Sequence, residues 1–254
     1  MIPWIQWTTI YLGALPIKIW GLLVALGFLF GAVAAAWMAR RRGLDPKHIY
    51  DLAAWIVVAA MIGGRLFHVV FYDPDFYLAN PGQILAFWQG GMSIYGGFVG
   101  AILASLVYCQ RRKLSIHQYA DAVIFGLPLG MFIGRIGCFL IHDHPGTATS
   151  FFLGVKYPDG VIRHDLGLYE SLNGLILFFL FLLLAKRHVK QGTYIIVFCL
   201  WYGVSRFLLD FLRLVDVRYF GLTPGQYLSA ILIGLGIILW LKPRSTILIT
   251  PVLS

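Results

Sequence analysis

Seven apolar runs, each of about 20 residues, leave this chain few ways to fold. They lie near residues 18–39, 52–72, 92–110, 118–140, 168–185, 193–213 and 226–241. Wound as a helix, a run of that length crosses the hydrocarbon core of a bilayer, where backbone amides find no water to pair with. The runs lack the period-two alternation of barrel strands, so helices are the expected solution. The expectation is an all-α integral membrane protein of about seven transmembrane helices in one bundle, with outer-side loops near 73–91 and 142–167. With 59% hydrophobic and 12% charged residues, and no internal repeat or low-complexity linker, a single polytopic membrane domain over 1–254 is the simplest account.

Basic residues between the runs give the orientation. Arg40, Arg41, Arg42, Lys47, Arg111, Arg112, Lys113, Lys186, Arg187, Lys190, Lys242 and Arg244 follow alternate runs, while the other connections carry only Lys156, Arg163 and Arg218. Twelve against three places the N-terminus outside and the C-terminus in the cytoplasm. The net charge of +9 is therefore mostly a topology signal, and without a basic soluble face nucleic acid is not an expected partner. No basic region or small-residue cleavage site precedes the first run, so that helix is expected to stay in place. Cys109, Cys138 and Cys199 fall in or at the ends of apolar runs, which argues for buried thiols rather than a disulfide framework.

A few ionisable residues stand out against this apolar background. Arg65, Arg135, Arg206 and Arg213 all fall in the outer halves of their spans, where a guanidinium keeps its charge and needs a polar or anionic partner. Arg206, Asp210 and Arg213 are spaced by four and three and share one helix face. Asp210 can neutralise one arginine, which leaves guanidinium in excess at outer headgroup depth. Such an excess suits a ligand with an apolar tail and an anionic head, because phosphate meets arginine in charge-assisted, often bidentate contacts. An anionic lipid bound from the outer side is the ligand class expected. Asp121, near the inner end of its span, is expected to be solvated or paired with the basic loops.

Chemistry on such a lipid needs an acid or a base, and His142, His144, His164, Glu170 and Tyr95 are the candidates. Asp143 or Asp165 is placed to orient one of the histidines. His142 and His144 stay open between a base, plain loop histidines and metal ligands, although no further ligand spacing supports zinc. Tyr95, ringed by Gly90, Gly91, Gly96, Gly97 and Gly100, is either an interface anchor or a residue facing a cavity or a tight helix contact. Cys138 is either an inert buried thiol or a nucleophile activated by Arg135.

Four stretches in register, GGRLFHVVFYDPDFYLANPGQILAFWQGGMSIYGGFVGA, GRIGCFLIHDHPG, RHDLGLYE and YGVSRFLLDFLR, resemble the phosphatidylglycerol-prolipoprotein diacylglyceryl transferase family. The resemblance extends from the first span to the last. It implies a multi-pass protein of the bacterial-type cytoplasmic (inner) membrane, with seven helices, an outside N-terminus, and neither cofactor nor metal. Phosphatidylglycerol is then the lipid donor, a prolipoprotein signal-peptide segment the acceptor, and glycerol phosphate the leaving group, all among membrane lipids. Arg135 corresponds to the arginine of the family's GRxGN signature, Arg206 to that of the sixth span, Arg65 to the one after the second-span glycines, and Gly146 to the signature's closing glycine. His164, Tyr169 and Glu170 match the ends of the family's RHPSQLYE stretch. Asp210 and Asp143 stand where the family has glutamate, Tyr95 where it has histidine, Cys138 where it has asparagine, and Trp20 where it has tyrosine.

Adding the loop histidines to the positions that the resemblance carries over gives an expected catalytic set of Arg135, Arg206, His142, His144, Asp143 and Tyr95. The substrate-binding set is Arg65, Arg213, Asp210, Gly146, His164, Glu170, Cys138 and Trp20. The replaced positions keep two alternatives open: a different acceptor, or a non-catalytic protein that binds anionic lipid. A channel or ion-coupled transporter finds little support, because the buried charge gathers toward one leaflet.

Overall fold

The computed structural model describes residues 1–242 apart from positions 14, 88, 89, 188 and 215, and at position 94 the backbone alone. Trp88 and Arg244, with the C-terminal stretch beyond 242, lie outside the described residues. Seven long helices are described: α1 (Ile19–Arg41), α2 (Lys47–Phe71), α4 (Ile94–Arg111), α5 (Ile116–Ile141), α6 (Leu166–Ala185), α7 (Thr193–Leu209) and α8 (Pro224–Leu241). A short α3 (Pro74–Ala79) follows α2, and a 3-10 turn extends α7 through Asp210–Leu212. All but α3 and α4 are, among the described residues, long and apolar enough to cross a membrane, six helices in total. The protein is therefore a multi-pass membrane protein.

Local sequence explains where several helices start. Thr223 caps α8, accepting from the Gln226 amide while the Gln226 side chain returns to the Thr223 amide, and Pro224 occupies the first helical turn. Asp165 caps α6 through the Leu168 amide at 3.1 Å. The chain enters α7 through Gly192 at φ 80°, a conformation that favours glycine.

The chain divides into two compact units, Asp45–Tyr119 and Met1–Leu44 with Ala120–Ser254. In the smaller unit, α2 and α4 approach through small residues. A side chain on Gly63 would strike the Gly96 carbonyl and the Gly100 backbone, and one on Gly100 would strike Ala59. Lipid tails give no hydrophobic drive for helices to associate, so close backbone approach and dispersion hold such pairs together. Tyr95 is half-buried in the first turn of α4, beside this glycine seam.

Also in this unit, Arg65 is 2% exposed and donates to a ring of carbonyls rather than to an acid. Its Nε reaches the Ile84 oxygen at 3.0 Å, Nη1 reaches Gly90 and Gly91, and Nη2 reaches Gln83 at 2.6 Å and Ala86 at 3.3 Å. The guanidinium also lies 5.1 Å over the Tyr77 ring. Arg65 thus ties residues 83–86, 90 and 91 to α2. Arg65→Leu is expected to cost on the order of 3 kcal/mol, read as faster hydrogen exchange at residues 83–86, 90 and 91, with Arg65→Lys restoring only part of the protection.

In the larger unit the same small-residue packing joins α1 to α5, where a Cβ on Gly27 would come within 2.6 Å of the Gly130 oxygen. Asp121 is fully buried and paired rather than solvated. It accepts from Arg42 at 2.6 Å and from the Gly192 and Ile195 amides at 3.1 and 3.0 Å.

The predicted loop 142–167 proves to hold a three-stranded antiparallel sheet of β3 (Pro145–Ala148), β5 (Ile162–Asp165) and β4 (Val155–Lys156), in that order. Pro145 pairs with Asp165, and Val155 with Arg163. The N-terminal residues extend it, since Ile2 bridges to Val155 in parallel and the Trp7 amide donates to the Leu140 oxygen at 2.9 Å. A hairpin of β1 (Thr9–Leu12) and β2 (Leu15–Lys18) then leads into α1.

Candidate active site

Three arginines from distant parts of the chain converge on one buried carboxylate in the larger unit. Glu170, at the start of the second turn of α6, is 1% exposed. Its Oε2 lies 2.7 Å from Arg135 Nη2, its Oε1 accepts from Arg206 Nη1, and Arg213 Nη2 stands 3.9 Å from Oε1. A second buried carboxylate, Asp210, lies 3.0 Å from Arg206 Nη2 and 3.1 Å from Arg213 Nε through Oδ1, while Oδ2 accepts from the Thr223 hydroxyl. Asp216, at the exposed edge, takes Arg213 Nη1 at 2.6 Å. Three guanidiniums therefore face two fully buried carboxylates and a third, Asp216, at the edge, so the charges balance over the whole cluster and the positive excess is confined to its buried part. That excess has a direction, because the Arg135 side chain, at 25%, is more exposed than those of Arg206 and Arg213.

Gly146 explains how the sheet reaches this cluster. Its backbone pairs with Arg213, and an added Cβ would lie 2.9 Å from the His164 oxygen and 3.0 Å from the Leu212 oxygen. Only a residue without a side chain lets β3 fit between β5 and the end of α7. On the other flank, Cys138 is buried with its sulfur 3.8 Å from Arg135 Nη1, and Trp20 lies beside the neighbouring Gly137.

The histidines divide into different environments. His142, at φ 52°, is buried, with Nδ1 at 2.6 Å from Asp165 Oδ2 and Nε2 at 3.1 Å from the Ile5 carbonyl. Trp4 stacks on its ring with centroids 4.0 Å apart. Both ring nitrogens are engaged, so His142 clasps the N-terminal segment and leaves no nitrogen for an incoming thiol. Asp165 also accepts from Tyr157, whose phenol is pushed up by burial and by the Asp165 charge. His144 is half-buried, with Nδ1 3.4 Å from Asp143 Oδ1. Burial lowers its pKa, and the Arg213 and Arg135 charges work in the same direction against the Asp143 contacts. His164 shares a 2.7 Å hydrogen bond with the Tyr169 hydroxyl, and burial lowers its pKa as well.

The sulfur of Cys138, a carboxylate oxygen of Asp143 and a ring nitrogen of His144 lie within 4.8 Å of one another, the closest approach to a metal-ligand set among the described residues. The guanidiniums of Arg135 and Arg213 bear on this corner, which favours an anion over a cation there. Arg135, Arg206, Arg213, Asp210, Glu170 and Gly146 are thus brought together, with Cys138, Asp143 and His144 beside them. Arg65 and Tyr95 belong to the smaller unit. Glu170, expected among the proton-transfer candidates, is instead the shared counter-ion of three arginines. Asp216 and Thr223 were not anticipated. Thr223 had a signal in the TPGQ capping pattern, whereas Asp216 had none.

Comparison with known proteins gives a consistent picture. The family model for prolipoprotein diacylglyceryl transferase matches residues 8–242. A phosphatidylglycerol–prolipoprotein diacylglyceryl transferase of Nitratidesulfovibrio vulgaris (strain DP4) is 37% identical over 94% of each chain. The protein of the same name from Wolbachia sp. subsp. Drosophila simulans (strain wRi) is 35% identical over 85% of this chain and 88% of its own. That from Roseobacter denitrificans is 37% identical over 82% and 81%.

Proposed function

Because the chain belongs to the prolipoprotein diacylglyceryl transferase family, we propose that it transfers a diacylglyceryl group from phosphatidylglycerol to a prolipoprotein lipobox cysteine. The observation that carries this reading is the convergence of Arg135, Arg206 and Arg213 with only two fully buried carboxylates among them. In the reaction the acceptor sulfur bonds to the terminal glycerol carbon of the diacylglyceryl group. The bond from that carbon to the phosphate oxygen breaks, and glycerol phosphate leaves with the electron pair. Arg135, the most open of the three, and Arg206 stabilise the charge on that leaving phosphate. Arg213 and Asp210 bind and orient from behind, and Glu170 keeps the forks apart. Gly146 fixes the sheet over the cluster, and Cys138 and Trp20 line its flank.

His144 takes the thiol proton, with Asp143 orienting it. Its lowered pKa leaves it neutral at pH 7, as a proton acceptor must be. His164 supports Tyr169 beside it, and Arg65 acts as a positioning residue for its own loop. In the membrane the chain has seven spans, counting α4, with the N-terminus and the β3–β5 sheet outside and the C-terminus in the cytoplasm. The twelve-to-three bias of basic residues supports that orientation, and the family supports a bacterial inner-membrane location.

Purified protein given labelled phosphatidylglycerol and a lipobox peptide is expected to form the thioether product. Lipid turnover without peptide labelling points to another acceptor, and no turnover to a lipid binder. The acid limb of the rate profile is expected below the ordinary histidine value of about 6.5, because a depressed pKa keeps the base deprotonated further into acid. In His144→Ala that limb should disappear, with a rate loss on the order of 10²-fold. In His142→Ala the limb should remain.

A further inference from the structure

The end of the larger unit remote from the arginine cluster holds a second basic site. Asp121 and Arg135 are 14 residues apart on α5, which separates the two ends by about 21 Å. At the Asp121 end, a pocket is lined by Met38, Arg41, Arg42, Lys186, Arg187 and Tyr194, among others. Arg42 is its buried member, with a side chain only 5% exposed. Its Nη1 is held by Asp121 and its guanidinium lies 4.9 Å over the Tyr194 ring, but its Nη2 is buried with no hydrogen-bond partner. Asp121 also accepts the two amides that open α7, so it offsets only one of the four positive charges around the pocket. Arg41 is steadied over the Trp37 ring at 4.8 Å.

A positive-inside signal explains basic residues at this end, but it predicts solvated side chains. It does not explain a guanidinium taken out of water beneath three further cations, a buried charge that an anion in the pocket would offset. Four cationic side chains around one small pocket suit a compact, multiply charged tetrahedral anion, whose oxygens can each take a charge-assisted donor.

We infer that this pocket binds a phosphate group, with Arg41, Lys186 and Arg187 as its donors and the Arg42 guanidinium, held between Asp121 and the Tyr194 ring, as the buried positive charge behind them. The phosphate belongs either to the headgroup of an anionic phospholipid in the cytoplasmic leaflet or to a free phosphate from the cytoplasm. The leaflet, though not the pocket, rests on the orientation proposed above.

The test is the unfolding temperature of the full chain in phosphatidylcholine nanodiscs, measured with added phosphatidic acid in one arm and inorganic phosphate in the other. A ligand that binds only the folded state raises that temperature, here by a few degrees at saturation. Arg41→Gln/Arg187→Gln is the variant of choice, because changing Arg42 would also break the Asp121 pair. Arg111→Gln/Lys113→Gln removes the same charge from exposed positions at and just beyond the end of α4 and serves as the control. Because the arginine cluster proposed above also takes an anionic lipid, the reading is the difference between variants: a rise with phosphatidic acid that the first double variant reduces and the control keeps supports a headgroup site. The same pattern with inorganic phosphate supports the pocket with a soluble ligand. No rise in either arm, a rise of undiminished size in Arg41→Gln/Arg187→Gln, or one reduced equally by both double variants overturns the inference.

Discussion

Replacing Arg135 by alanine should lower the transfer rate by roughly 10²–10³-fold while leaving the protein folded. Arg135 is the member of the cluster with the most open side chain, and when it goes Glu170 still has Arg206 and Arg213 for partners. Stability therefore changes little, and what disappears is a fork aimed at charge that develops on the leaving phosphate. Arg135→Lys keeps the charge but not the two parallel donors, so it should recover only part of the rate. The measurement is the turnover of labelled phosphatidylglycerol with a lipobox peptide, alongside the unfolding temperature. A variant within a few-fold of the parent would remove Arg135 from the chemistry.

Glu170→Gln should have the opposite profile, with a large loss of stability. The glutamine is nearly isosteric, so packing is kept, but Arg206 and Arg213 would then share Asp210 as their fully buried counter-charge and Arg135 would lose the carboxylate it pairs with. Breaking a buried ion pair by removing one partner costs roughly 3–5 kcal/mol, because the remaining charges stay out of water without compensation. For a chain of this size that is a fall of about 10 °C in unfolding temperature. Asp216→Asn, at the exposed edge, should cost about 1 kcal/mol or less. Equal effects from Glu170→Gln and Asp216→Asn would mean that the cluster is solvated rather than built around one carboxylate.

The helices were legible in the sequence because membrane length and hydropathy act locally. The run read as 118–140 became Ile116–Ile141, and 226–241 became Pro224–Leu241. The glycines at 63, 96 and 100 likewise announced a close helix contact. The site was legible as charge but not as geometry. Arginine excess at one depth could be counted, yet nothing local to Glu170 says that arginines 35 residues before and 36 after it will meet there. The sheet within 142–167 stayed hidden for a similar reason. Its strands are two to four residues long and are fixed by pairing with remote segments, including Ile2. Arg65 misled for a physical reason too: five backbone carbonyls can satisfy a buried guanidinium as well as an anion can, and loop carbonyls leave no trace in composition.

The clasp at His142 bears on how the molecule can be handled. Trp4 and Ile5 hold one side of the His142 ring, while Asp165 of β5 and Tyr157, which follows β4, hold the other from about 150 residues on. An aminopeptidase or a cloning scar that trims the first half-dozen residues would strip the indole from the imidazole and free a nitrogen that is now tied. An affinity tag ahead of Met1, whose side chain is exposed, leaves that side of the ring covered.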